Sequence, residues 1–175
     1  MKSDRVLFVL LALAALIGAV AAQENRISPH ETTELTLNGK KITVTYGRPS
    51  MKGRKVVGDK LVPFGQVWRT GADEATVLKT EADLTIGDLA VPKGSYAIFT
   101  LPSESGWKLI VNKVAEQWGA FSYDKKQDLG RVDMKVDKTS APVEQFTITL
   151  AQSGNGGVMK LEWENTAASV DLKVK

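Results

Sequence analysis

The sequence predicts an all-β fold, an antiparallel β-sandwich of about ten short strands, with a small closed β-barrel as the alternative. Three observations lead to this prediction. Apolar residues after Gln23 recur with period two rather than 3.6. Two-residue turn signals, Asn38-Gly39 and Gly87-Asp88, separate several of these runs. Only the stretch 114–118 favours a helical turn.

The run "TELTLNGKKITVTY" is the clearest hairpin, because Asn38 and Gly39 both tolerate a positive φ. A two-residue turn there places Leu37 opposite Lys40 and Leu35 opposite Ile42. The apolar residues of both strands then share one face, as a half-buried hairpin requires.

Later segments continue the pattern. In "DLTIGDLAV" the Gly87-Asp88 turn places Ile86 opposite Leu89. "YAIFTL" is apolar on both faces and therefore predicts a central, buried strand. The last third contains four stripes in which every second residue is apolar, and they begin at Val132, Phe146, Met159 and Val170. Each stripe predicts one short strand.

The first residues resemble a signal peptide, with Lys2 and Arg5 before an apolar run from Val6 to Ile17. Cleavage is expected after Ala21 or before Gln23, and an uncleaved anchor is the alternative. The run is shorter than the roughly 20 residues that span a bilayer, which favours cleavage. We therefore expect a signal peptide over 1–22, a single domain over 23–175, and a periplasmic or secreted protein with no stable membrane span.

Composition narrows the classes of function. The 175 residues include 23 basic and 20 acidic residues, one His and no Cys. This near-neutral balance does not favour a nucleic-acid partner. His30 lies near the predicted mature N-terminus, so a Ser-His-Asp triad is not expected. No His or Cys cluster has metal-ligand spacing, so no metal or other cofactor is expected.

Two long irregular stretches, 47–71 and 113–130, are the places to look for function. In the first, Arg48, Lys52 and Arg54 could present a guanidinium fork to an anion, or form only a solvated basic loop.

The stretch "FGQVWRTGADEAT" joins the first irregular stretch to a strand. If it is extended, Trp68 and Thr70 face one way and Arg69 the other. Arg69 with Asp73 or Glu74 could form a structural ion pair, contact a ligand or take part in catalysis. The two carboxylates are adjacent in sequence, which disfavours a catalytic dyad.

The second irregular stretch is rich in aromatic residues, since Trp118, Phe121 and Tyr123 lie within it. Exposed aromatic rings could stack on a ligand such as a sugar. The alternative is a lid of aromatic side chains over one end of the sandwich.

From these stretches we expect a polar pocket, lined by Arg and Trp, that both irregular stretches form together. The protein is then an exported, non-enzymatic binding or structural module of the bacterial envelope. Its partner is a small polar or anionic ligand or an envelope component. The alternatives are a carboxylate-dependent hydrolase acting on an envelope polymer through Glu74, and a subunit of an envelope assembly. The candidate ligand-binding residues are Arg48, Lys52, Arg54, Trp68, Arg69, Asp73, Glu74, Trp118 and Tyr123.

Four motifs occur in the order "TYGRPSMKGRKVVG", "LVPFGQVWRTGADEAT", "VPKGSYAIFTLP" and "EQWGAFSYDKK". Together they resemble the DUF2911 family of exported bacterial proteins, over roughly Ser28 to Trp163. The resemblance implies no catalytic residues. The chain departs from the family at Asp73, where Asn is expected in many members, and at Gly130, where an apolar residue is expected.

Overall fold

The computed structural model describes residues 26–175, so the predicted signal peptide lies outside the described residues. Nine strands and one short 3₁₀ helix, Lys125–Gln127, form this part of the chain. The strands are β1 (His30–Leu37), β2 (Lys40–Gly47), β3 (Thr76–Thr80), β4 (Leu84–Ile86), β5 (Leu89–Val91), β6 (Gly94–Ser103), β7 (Gly106–Asn112), β8 (Asp128–Ser153) and β9 (Gly156–Val174).

All strand pairs are antiparallel, in the order β1-β2-β3-β6-β7-β8-β9-β4-β5, and the sheet is not closed. The first part of β8 pairs with β7 and the rest with β9. Because β8 belongs to both halves of the sheet, the halves can fold over each other. The Tyr46 hydroxyl of β2 bonds to the backbone of Ile148 in β8, and this bond ties the two halves together. The all-β prediction is confirmed, and the arrangement is compatible with a sandwich.

Both predicted hairpin registers are confirmed. Leu37 faces Lys40 and Leu35 faces Ile42 across the first turn. Ile86 faces Leu89 across the second. The segment "YAIFTL" lies in β6, between β3 and β7, and is buried on both faces over residues 96–100.

The number and length of the strands differ from the prediction. The last four stripes form two long strands, β8 with 26 residues and β9 with 19. Register shifts between Lys138 and Thr147 let β8 bend instead of ending. The stretch 114–118 is not helical, because its backbone runs extended beside residues 74 and 75.

The core has two parts. The larger cluster includes Trp68, Trp107, Phe146 and Trp163, whose rings pack together. The smaller cluster includes Phe99 and Ile110, with Val67 and Tyr123 packed against it. The smaller cluster positions the irregular stretch 113–127 against β6 and β7. Within residues 26–175, no helix is long and apolar enough to cross a membrane.

Candidate functional site

The segment 69–75 forms one wall of the candidate site. Trp68 pairs with Thr100 of β6 through two backbone hydrogen bonds, of 2.8 and 3.0 Å. Thr70 and Asp73 both have positive φ, 58° and 62°. A Cβ at Gly47 would lie 2.3 Å from the carbonyl oxygen of Ala72, so only glycine allows this approach. These features fix a tight turn whose last residue, Ala75, leads into β3.

The stretch 113–127, which we call the aromatic loop, forms the opposite wall. Its two ends meet where the Lys113 amide donates to the Gln127 carbonyl at 2.9 Å. Its middle docks on the first wall. The Gly119 amide donates to Asp73 O at 3.0 Å, and the Ala75 amide donates to Gln117 O at 2.9 Å. Trp118 and Glu74 are therefore neighbours on paired backbones.

The third component is the segment 26–30, which leads into β1. Arg26 donates to Oε1 of Glu74 through Nε, at 2.8 Å, and its Nη2 lies 2.6 Å from the same oxygen. His30 Nε2 lies 2.8 Å from Oε2 of Glu74. The backbone amides of Ile27 and Ser28 donate to the Asp73 carboxylate at 3.5 and 3.2 Å. The two adjacent carboxylates thus bind the N-terminal segment rather than each other.

The electrostatics of Glu74 follow from these contacts. Partial burial by itself raises the pKa of Glu74, but hydrogen bonds from Arg26 and His30 and the Arg26 charge lower it, and the net pKa is below its ordinary value. Glu74 is therefore an anion at neutral pH. The Nδ1 atom of His30 faces the Ser28 carbonyl at 3.1 Å, so both ring nitrogens face oxygen acceptors.

A groove of about 410 Å³ lies between these components. Trp118 is 47% exposed there, whereas Trp68, Trp107 and Trp163 are at most 6% exposed. The groove thus offers one accessible indole, an ion pair and two further polar side chains to a ligand. Its lining residues are Arg26, Glu74, Ala75, Val77, Ala115, Glu116, Gln117 and Trp118.

The structure divides the pocket that the sequence predicted. Arg48 donates to Phe146 O and Thr147 Oγ1 of β8 and pairs with Glu31. The Lys52 amide donates to Glu144 Oε1, and Arg54 donates to the carbonyls of residues 50 and 51. These contacts hold the basic stretch on the bend of β8, and none of its residues lines the groove.

Trp68 and Arg69, which were also expected to line the pocket, do not line the groove. Trp68 is 6% exposed and stacks on Trp163, so its ring belongs to the core. Trp68 packs in the larger cluster and Val67 in the smaller one, so successive side chains of this segment point to opposite sides. Arg69 and Trp68 therefore face opposite ways, as predicted for an extended segment. Among residues 26–175, Arg69 makes no ion pair with Asp73 or Glu74, so the structural ion pair, one of the three arrangements considered for these residues, does not form. Both carboxylates are already engaged by the segment 26–30.

Tyr123 has a structural role in the aromatic loop. Its hydroxyl donates to Asp128 at 2.7 Å and accepts from Arg131 at 2.6 Å, and its ring packs against Phe99. Burial, the hydrogen bond to Asp128 and the Asp128 charge raise the pKa of Tyr123 to about 12, against the opposing effect of Arg131. Tyr123 therefore stays neutral and anchors the C-terminal end of the aromatic loop.

Of the predicted residues, Asp73, Glu74 and Trp118 meet at one place. Sequence reasoning missed Arg26 and His30 as partners of Glu74. They lie 48 and 44 positions from Glu74, and no local pattern links them. No signal in the residues before β1 pointed to this pairing. Within residues 26–175, no group of three His, Cys, Asp or Glu residues could hold a metal ion.

Fold and site together define an open, antiparallel all-β domain with a lateral groove built from three non-contiguous segments. The family described as "Protein of unknown function (DUF2911)" matches residues 28–172, and the chain belongs to this family. No curated protein and no solved structure matches the chain.

Proposed function

We propose that this protein is an exported, non-enzymatic binding module of the bacterial cell envelope, and that the groove beside Trp118 is its binding site. The observation that carries the proposal is the contrast among the four tryptophans: three are buried, and Trp118 is half exposed beside the Arg26–Glu74 ion pair. A large aromatic surface beside polar groups in a concave site is typical of ligand recognition.

The groove rests on a firm frame, which suits binding without rearrangement. Its walls are joined by backbone hydrogen bonds from Ala75 to Gln117 and from Gly119 to Asp73. The Gln117 side-chain nitrogen donates to Asn112 Oδ1 and Val114 O, which fixes the amide in one orientation. Its Oε1 is buried and has no partner among the described residues.

The contacts of Glu74 count against the hydrolase alternative. A general acid must be protonated near the working pH, and the lowered pKa of Glu74 opposes this. A general base must be basic enough to take the proton of a water. The hydrogen bonds that Arg26 donates to Oε1 and His30 makes at Oε2 lower the pKa of Glu74, and a carboxylate with a lower pKa is a weaker base.

Export and envelope location are supported by the sequence before residue 26. The charged start, the apolar run from Val6 to Ile17 and the small residues after it are features of a signal peptide. Determining the N-terminal residue of the protein purified after export tests this part of the proposal.

Sedimentation with separate envelope fractions tests binding. The exported protein is mixed with purified peptidoglycan sacculi in one arm and with envelope membrane vesicles in the other. We expect it to sediment with at least one of them. Trp118→Ala should weaken this binding about tenfold, because the accessible indole is lost.

Val136→Ser is the matched control, since Val136 is 38% exposed on β8 and does not line the groove. It should bind as the native protein does. If the native protein stays in the supernatant with both fractions, or if Trp118→Ala binds normally, the groove is not an envelope-binding site.

A further inference from the structure

Exposed apolar side chains concentrate around the groove. Within residues 26–175, six large apolar side chains are exposed, and four of them lie on the segment 26–30 or the aromatic loop. They are Ile27 (91% exposed), Phe121 (86%), Trp118 (47%) and Val114 (44%). Such a concentration, with polar residues around it, is typical of an interaction surface.

Asp73 holds these two elements side by side. Its carboxylate accepts from the Ile27 amide, and its carbonyl accepts from the Gly119 amide. The Phe121 ring lies over Gly119, 3.1 Å from the position of an added Cβ. Asp73 therefore brings the backbone of Ile27 close to that of Gly119, and we call the exposed side chains of Ile27, Trp118 and Phe121 the apolar corner.

Three lysines lie near the two ends of the aromatic loop. Lys113, Lys125 and Lys126 are exposed, and none makes an ion pair with another residue in 26–175. The acidic residues of the loop are Glu116 and Asp124, and Asp124 caps the 3₁₀ helix by accepting from the Lys126 amide. The loop thus combines outward apolar side chains with three unpaired cations.

We propose that the apolar corner docks on the surface of an anionic lipid bilayer. This proposal rests on the envelope-binding function proposed above. Aliphatic and aromatic side chains enter the acyl boundary, and the lysines contact lipid phosphates. A glycan fits less well, because the aliphatic Ile27 and Val114 have no planar face for a sugar ring. Side chains that project this far also suit a fluid partner, which needs no matching pocket.

Vesicle flotation tests the proposal. The exported protein is mixed with vesicles of phosphatidylglycerol and phosphatidylethanolamine, or of phosphatidylcholine alone. We expect flotation with the anionic vesicles, weakened by high salt. Trp118 emission should shift to the blue and its acrylamide quenching should fall. Because the other three tryptophans are buried, both changes report on Trp118.

The variants Ile27→Ser and Phe121→Ser should each weaken vesicle binding about tenfold, since each removes an inserting side chain. Both residues are exposed, so folding is expected to survive, and circular dichroism checks it. Val136→Ser is again the control and should float normally.

Three outcomes would overturn the proposal. In the first, the protein sediments with sacculi but does not bind anionic vesicles, which leaves the groove's envelope function intact and removes the lipid partner. In the second, Phe121→Ser and Ile27→Ser float as the native protein does. In the third, the protein does not bind vesicles, and light scattering shows a dimer that Phe121→Ser dissociates; the apolar corner is then a contact between two copies of this chain.

Discussion

Trp68 and Trp118 have opposite roles in this protein, and the surroundings of each side chain show what that role is. Trp68 is 6% exposed and contacts the rings of Trp107, Phe146 and Trp163. Trp118 is 47% exposed and has no ring partner among the described residues. The first residue stabilises the core, and the second is available for binding.

Alanine substitution should separate these roles. Trp68→Ala is expected to lower the free energy of unfolding by about 3–5 kcal/mol, because it leaves a large cavity. Trp118→Ala should lower it by less than about 1 kcal/mol. Urea unfolding followed by circular dichroism measures both. Equal losses in the two variants would contradict the assignment of Trp118 as a surface residue.

Sequence reasoning singled out Asp73 and Glu74 but did not find their partners. One of the arrangements considered was an ion pair of Arg69 with Asp73 or Glu74. The positive φ of Asp73 turns the backbone, and both carboxylates reach residues 26–30 instead. A contact across more than 40 positions depends on tertiary packing, which no local pattern contains.

At the scale of elements, the carboxylates of Asp73 and Glu74 fasten the segment 26–30 to the turn before β3. The pKa of Glu74 is lowered in the folded protein, so the contacts of its carboxylate contribute to stability above its unfolded pKa, about 4.3. This contribution is lost as pH falls through the lower, folded pKa. The segment should therefore loosen in acid.

Glu74→Gln should loosen the same segment at neutral pH, with a loss of about 0.5–1 kcal/mol, since the ion pair is partly exposed. Hydrogen exchange of the Ser28 amide, which donates to Asp73, measures the effect. Glu34→Gln is the matched control, because Glu34 is in an exposed pair with Lys41 on the same hairpin. Faster exchange of the Ser28 amide in both variants would contradict a specific role of Glu74 in holding the segment 26–30.

Gly47 connects the end of β2 to the same turn. In Gly47→Ala the new Cβ would lie 2.3 Å from the Ala72 carbonyl oxygen, so the backbone of the turn must move. We expect a loss of about 1–3 kcal/mol and displaced Gly119 and Ala75 amides in NMR spectra. Gly39→Ala tests positive φ without a clash, since open space surrounds its Cβ position. Unchanged Gly119 and Ala75 amides in Gly47→Ala would contradict the account.

Elements with local signals were predictable. The Asn38-Gly39 and Gly87-Asp88 hairpins have the register that turn geometry dictates. The length of β8 was not predictable, because its break in alternation near Pro142 resembles a turn. Instead, the bend is absorbed by register shifts against β9, and pairing with that strand depends on the whole sheet.

At the scale of the whole molecule, one tyrosine ties distant parts of the sheet together. Tyr46 joins β2 to β8 through the backbone of Ile148, with bonds of 3.2 and 2.8 Å. Burial raises the pKa of Tyr46 and of Tyr96, and the pKa of Tyr123 rises to about 12. All three tyrosines therefore favour the neutral form when the protein is folded.

Alkaline unfolding should follow from these shifts. A raised folded pKa contributes stability that is fully present below the unfolded pKa, about 10, and is lost as pH rises through the folded pKa. The urea midpoint should fall between about pH 10 and 12, and tyrosinate absorbance should appear with unfolding. Tyrosinate forming near pH 10 in protein that stays folded would contradict the account.

The accessibility of Trp118 to acrylamide, measured with and without an isolated envelope fraction that binds the protein, tests the central claim most directly. The account predicts that quenching falls when the protein is bound and that Val136→Ser behaves identically. Unchanged quenching in bound protein would show that binding occurs elsewhere on the domain, and the groove would lose its assigned function.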